Sequence, residues 1–125
     1  MFYKCNICGN FVGLVEDGGG ELVCCGEPME KLEEKSSEEG NEKHLPVVEV
    51  EGNKVKVTVG SIQHPMLDEH YIKFIVLKYN DKTYKKELKP NKTPILEFEI
   101  NEFFEKMDVY EYCNVHGLWK TEFKR

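Results

Sequence analysis

From residue 44 onward, apolar and polar positions alternate with a period of two. Val55, Val57 and Val59 are interleaved with Lys54, Lys56 and Thr58, the pattern of a strand with one buried face. Gly52-Asn53 just ahead is a turn signal, and Val47 to Glu51 before it reads as another strand. Tyr71 to Tyr79 is a longer apolar, β-branched run; Asn80-Asp81 breaks it, and Thr83 to Leu88 is expected to return as its partner. Pro90 and Pro94 bracket the next turn, after which Ile95 to Ile100 alternates again. Asn101 to Asp108 predicts one or two helical turns capped by Asn101. Val109 to Cys113 and Leu118 to Phe123 close the chain as two more strands. About seven short strands with frequent turns predict an all-β, seven-stranded immunoglobulin-like sandwich.

The N-terminal stretch is different. Residues 1–32 contain four of the five cysteines and six of the ten glycines, and the segment is too short to fold on apolar burial alone. An acidic, Ser/Gly-containing run from Glu33 to Glu42 follows and reads as a solvated linker. The expected organisation is a small metal-bound domain over residues 1–36, an acidic linker over 37–42 and the sandwich over 43–125.

The net charge of −6 argues against nucleic acid or an anionic membrane surface as partner. Any chemistry on an anion then needs a locally positive site. No window approaches the uninterrupted apolar length of a spanning helix. The first residues lack a basic region followed by an apolar run, so the cytoplasm is the expected location. Lys78, Lys82, Lys85, Lys86, Lys89 and Lys92 gather along two expected strands and their turns. They read first as protection of a sheet edge, with docking of an acidic donor protein as the alternative.

Five cysteines without a disulfide-type spacing read first as metal ligands. Cys5 and Cys8 share one tight turn, and Cys24 and Cys25 are adjacent. Four thiolates around one ion suit structural zinc or mononuclear iron; a redox disulfide is the weaker alternative. Neighbouring side chains of an extended chain point apart, so Cys24-Cys25 must bend, and Gly18-Gly19-Gly20 and Gly26 supply the freedom. All four histidines lie in the β region: His44, His64, His70 and His116, with Cys113 three residues before the last. Each falls at a strand end or in a loop, where a rigid scaffold presents functional groups. Any one alone is more often a surface or satisfied core residue than a ligand. Together, four imidazoles and one thiolate suit a redox-active transition metal with a sixth position left open. Trp119, after the ligand turn, either shields Cys113 or is ordinary core.

These motifs are similar to those of the two-iron superoxide reductases, or desulfoferrodoxins, and the resemblance spans essentially the whole chain. Its residues are Cys5-x-x-Cys8 with Cys24-Cys25, Glu42-Lys43-His44-Leu45-Pro46, His64-Pro65-Met66 followed by His70-Tyr71, and Cys113-Asn114-Val115-His116-Gly117. The resemblance implies two irons per chain. A desulforedoxin-like domain would hold one on Cys5, Cys8, Cys24 and Cys25. The sandwich would hold the other, with His44, His64, His70 and His116 equatorial and Cys113 axial. It further implies one-electron reduction of superoxide to hydrogen peroxide, with rubredoxin or a similar protein as electron donor, and a homodimer. Lys43 would hold a water near the substrate, and Glu42 would fill the open position in the ferric resting state. Asn114 and nearby backbone N–H groups would hydrogen-bond the Cys113 thiolate. The competing functions are a superoxide dismutase, an electron carrier or redox sensor with two mononuclear irons, and a zinc-stabilised binding module.

Overall fold

The computed structural model describes residues 1–36, 44–60 and 64–125. Its elements among these residues are all strands, twelve in number. The chain divides into two compact units, Met1–Glu33 and Glu34–Arg125.

In the first unit, β1 (Phe2–Lys4) lies between β2 (Phe11–Gly13) and β5 (Glu30–Leu32), both antiparallel to it. β3 (Val23–Cys24) and β4 (Glu27–Pro28) form a separate hairpin. Its two turn residues, Cys25 and Gly26, have φ of 54° and 76°. Positive φ at both central positions is what a tight type I′ hairpin requires. The bend expected at the adjacent cysteines is therefore made by Cys25 itself entering the left-handed region, with Gly26 completing it. Only Phe2 and Cys5 are buried apolar side chains in this unit, too little apolar surface to hold it together unaided.

Among the described residues, the second unit has seven strands in two sheets. One sheet runs in the order β10 (Ile95–Glu99), β7 (Lys54–Val59), β6 (Pro46–Glu51). The other runs β12 (Gly117–Lys124), β11 (Lys106–Cys113), β8 (Ile72–Tyr79), β9 (Lys82–Glu87). All pairings are antiparallel, and the fourth strand lies beside the third, an immunoglobulin-like arrangement. The core lies between the sheets. Val55, Val57, Val59 and Leu96 from one face meet Ile75, Leu77, Met107 and Val109 from the other. β9 is exposed along its whole length and carries Lys82, Lys85 and Lys86 on a sheet edge, as strand protection requires.

The helical turns expected over Asn101 to Asp108 do not form. Lys106, Met107 and Asp108 instead extend β11, pairing with Lys124, Phe123 and Glu122 of β12. Met107 and Phe104 both reach the core. A helix would forfeit this ladder and withdraw Met107, so tertiary pairing overrides the local cap signal.

Phe103 and Phe104 are adjacent but 76% and 1% exposed. Phe104→Ala should cost about 3–5 kcal/mol in denaturant unfolding, while Phe103→Ala should stay within about 0.5 kcal/mol of the native chain.

Candidate metal centres

The four cysteines of the first unit place their Sγ atoms within 4.8 Å of one another, and none is in a disulfide. Cys8 Sγ lies 3.6 Å from Cys24 Sγ. A tetrahedron with metal–sulfur bonds of ~2.3 Å has edges of about 3.8 Å, so the spacing fits one shared ion. The turn after β1 prepares it. The Cys8 N–H donates to Cys5 Sγ at 3.4 Å, the Asn10 N–H to Cys8 Sγ at 3.4 Å, and Asn10 Nδ2 to Cys24 Sγ at 3.6 Å. The backbone N–H groups of Cys8 and Ile7 pull the Cys5 thiol down to about 6. The crowd of sulfurs, Cys8 foremost, pushes Cys25 up to about 12 and raises Cys24 as well. The Cys5 thiolate forms readily, whereas Cys24 and Cys25 need a cation to join it.

In the second unit the ligand candidates gather at one end of the sandwich. His44 stands just before β6, separated from it by Leu45. His64 and His70 stand in the connection from β7 to β8, and Cys113 ends β11. Cys113 pairs with Gly117 across the turn that carries His116, and Gly117 takes φ of 85° to close it. The β8–β11 register shifts between Tyr112 and Cys113. A bulge at this point re-aims the side chain that follows it.

His44, His64, His116 and Cys113 bring ligand atoms within 4.8 Å of one another. His70 is not within that group, but its ring closes the figure. Ring centroids are 4.7 Å apart for His44–His64, 4.9 Å for His64–His70, 5.0 Å for His70–His116 and 4.7 Å for His116–His44. A square of such sides sets each centroid about 3.4 Å from the middle, close to a metal–nitrogen bond of ~2.1 Å plus half a ring. Cys113 Sγ lies 3.8 Å from His116 Nδ1 and accepts the His116 N–H at 3.4 Å. The donor set suits a transition metal that accepts nitrogen and sulfur together.

The protonation states suit it too. Burial first, then the charges of His64 and His116, press His44 down to about 4, so its imidazole is neutral, as a ligand must be. Burial raises the Cys113 thiol, while the His116 and Val115 N–H groups oppose the rise. His64 Nδ1–H donates to the Pro65 carbonyl at 2.7 Å, leaving Nε2 as the lone-pair nitrogen.

Three side chains make contacts that the sequence did not point to. Glu111 is 0% exposed, and burial pushes its carboxyl up to about 9. Its Oε1 lies 3.7 Å from His44 Nδ1; with both groups neutral and that separation, this is a contact and not an ion pair. The signal was present in the strand alternation, which puts Glu111 in phase with Met107, Val109 and Cys113. Asn114 does not turn its side chain to the thiolate. Its Oδ1 accepts the Tyr71 N–H at 2.9 Å and its Nδ2 donates to the Glu69 carbonyl at 3.0 Å. It thus staples both sides of His70 to the ligand turn. Trp119 stacks on His44, centroids 4.7 Å apart and planes 10° apart. Glu42 and Lys43 lie outside the described residues.

Among the described residues, no helix is long and apolar enough to cross a membrane. The N-terminal domain of desulfoferrodoxin matches residues 1–32, and the desulfoferrodoxin family itself matches residues 36–122. Desulfoferrodoxin of Nitratidesulfovibrio vulgaris is 50% identical over 120 residues, covering 96% of this chain and 94% of that protein. A desulfoferrodoxin homolog of Archaeoglobus fulgidus is 48% identical over 95% of this chain and 94% of its own length. The crystal structure of the superoxide reductase from Treponema pallidum superposes with a TM-score of 0.79 at 35% identity, over 96% of this chain and 94% of that one. With two cysteine- and histidine-rich groups that fit two iron sites, and with both parts of the chain matched, this protein belongs to the desulfoferrodoxin family.

Proposed function

We propose that the chain is a superoxide reductase, in which superoxide takes up one electron and two protons to give hydrogen peroxide. The reaction would occur at a mononuclear iron held by His44, His64, His70, His116 and Cys113. One observation carries the reading: four imidazoles in a closed ring of near-equal sides, three of which bring ligand atoms close to Cys113 Sγ. The Treponema pallidum relative, described as a superoxide reductase, supports it.

Bound there, iron supplies a one-electron couple with an electron-rich thiolate donor. The chain's own residues do the rest. The Pro65 carbonyl holds the His64 Nδ1 proton and so presents Nε2. His44 turns Nδ1 toward Glu111; a cation on the far nitrogen would strengthen that N–H as a donor and draw Glu111 toward its carboxylate. The His116 N–H on Cys113 Sγ limits how much density the thiolate donates. His44, His64 and Cys113 are buried, whereas His116 is exposed, so a small anion enters from the His116 side. One thiolate and four neutral imidazoles leave a ferrous centre with a charge of about +1, which attracts superoxide although the chain as a whole is acidic. Lys43, next to His44 in sequence, would add a positive charge and hold a water for proton delivery. Glu42, two residues before His44 in sequence, would be a further ligand to the oxidised iron. The cysteine-only centre has no vacant position and acts in electron transfer or in holding its unit together. A rubredoxin-like protein would return the electron, and the working form would be a homodimer.

Protein from iron-replete cells should contain about two irons per chain by elemental analysis, and Cys113→Ser about one. Cys113→Ser should also slow superoxide consumption by at least ~100-fold in stopped flow, because even outer residues of such sites cost 10–100-fold. Two zincs per chain would reassign the protein as a binding module. Turnover should yield peroxide and consume reductant without releasing oxygen; oxygen evolution would make it a dismutase. Raising salt from ~0.01 M to ~0.15 M, which shortens the Debye length from about 30 Å to about 8 Å, should slow the bimolecular step.

A further inference from the structure

Lys35 stands in the acidic run after the first unit, where the sequence offered only a solvated stretch. The structure gives it a fixed backbone. Its N–H donates to the Leu118 carbonyl at 2.9 Å, and its carbonyl accepts the Lys120 N–H at 3.0 Å. It thereby bridges in parallel with Trp119 on β12. From that anchor the side chain reaches the ligand turn, where Nζ donates to the His116 carbonyl at 3.2 Å. The same carbonyl accepts the Trp119 indole N–H, also at 3.2 Å. Lys35 Nζ is 5.6 Å from the Trp119 ring centroid, a cation–π distance. A Cβ on Gly117 would lie 4.0 Å from Lys35 Cε and Nζ, so the lysine passes close over the glycine that closes the turn.

We infer that Lys35 is a positioning residue of the histidine–cysteine centre, whose ammonium clamps the His116 carbonyl and favours the reduced metal. The inference rests on the reading that iron occupies that centre. Two donors on one carbonyl hold His116, and with it the N–H that faces Cys113 Sγ. Oxidation adds one positive charge to the centre, and a fixed ammonium on a ligand residue opposes that gain. Half-burial of Lys35 keeps solvent from screening the effect fully. The device gives an acidic chain a cation where an electron must be held ready for an anionic oxidant.

The test is a redox titration of the full iron-loaded chain, following the thiolate-to-ferric absorption of the histidine–cysteine centre. Three variants are compared. Lys35→Met removes donor and charge, Lys35→Gln keeps a donor without charge, and Lys35→Arg keeps both. With Lys35→Met and Lys35→Gln, the ferric form should gain about tenfold over the ferrous at a fixed potential. For a one-electron couple that is a midpoint lower by about 59 mV. Lys35→Arg should stay near the native value. An unchanged midpoint in Lys35→Gln, with full iron content, would overturn the role given to Lys35 while leaving the proposed function standing. Native protein with no iron at this centre would overturn both.

Discussion

The open end of the sandwich depends on compensating buried polar groups. His44 Nδ1 and both Glu111 carboxyl oxygens have no hydrogen-bond partner among the described residues, and a buried polar group left so costs free energy. A scaffold does not gather such groups beside a fully buried cysteine unless something offsets the loss. A cation does, by accepting lone pairs from imidazole and thiolate and by turning a neutral acid into a useful carboxylate partner. Metal binding is therefore expected to stabilise the folded form of this end.

The same logic holds more severely in the first unit. With only Phe2 and Cys5 as buried apolar side chains, its core is in effect the ion. The Cys25-Gly26 turn, both residues at positive φ, accepts local backbone strain at a non-glycine residue to bring adjacent sulfurs to one point. At the second centre none of the five ligand residues takes a positive φ, because a large apolar core already fixes the strands that carry them. There a bulge before Cys113 and a tight turn closed by Gly117 suffice to aim the ligands.

Much of this was legible in the sequence. Period-two alternation at Val55, Val57 and Val59 marked the core face of β7, and ligand-type residues at turn signals marked both metal groups. What was not legible came from long-range partners. Asn101 looked like a helix cap until β12 claimed Lys106 to Asp108 as a strand. Asn114 looked like a thiolate partner, yet the peptides at Glu69 and Tyr71, more than forty residues away in sequence, take its amide. Glu111 was the missed clue: a charge at an inward strand position, in phase with Cys113, violates the pattern that its neighbours obey. Lys35 gave no local signal, because its meaning depends on β12 lying alongside it.

The most direct test is anomalous scattering at the iron edge from crystals of the iron-loaded chain. Two peaks are expected, one amid Cys5, Cys8, Cys24 and Cys25. The other should sit inside the ring of His44, His64, His70 and His116, with Cys113 Sγ at a bonding distance of about 2.3 Å or slightly more. An ion bound by the histidines with Cys113 Sγ turned away, or no iron within the ring, would contradict the account.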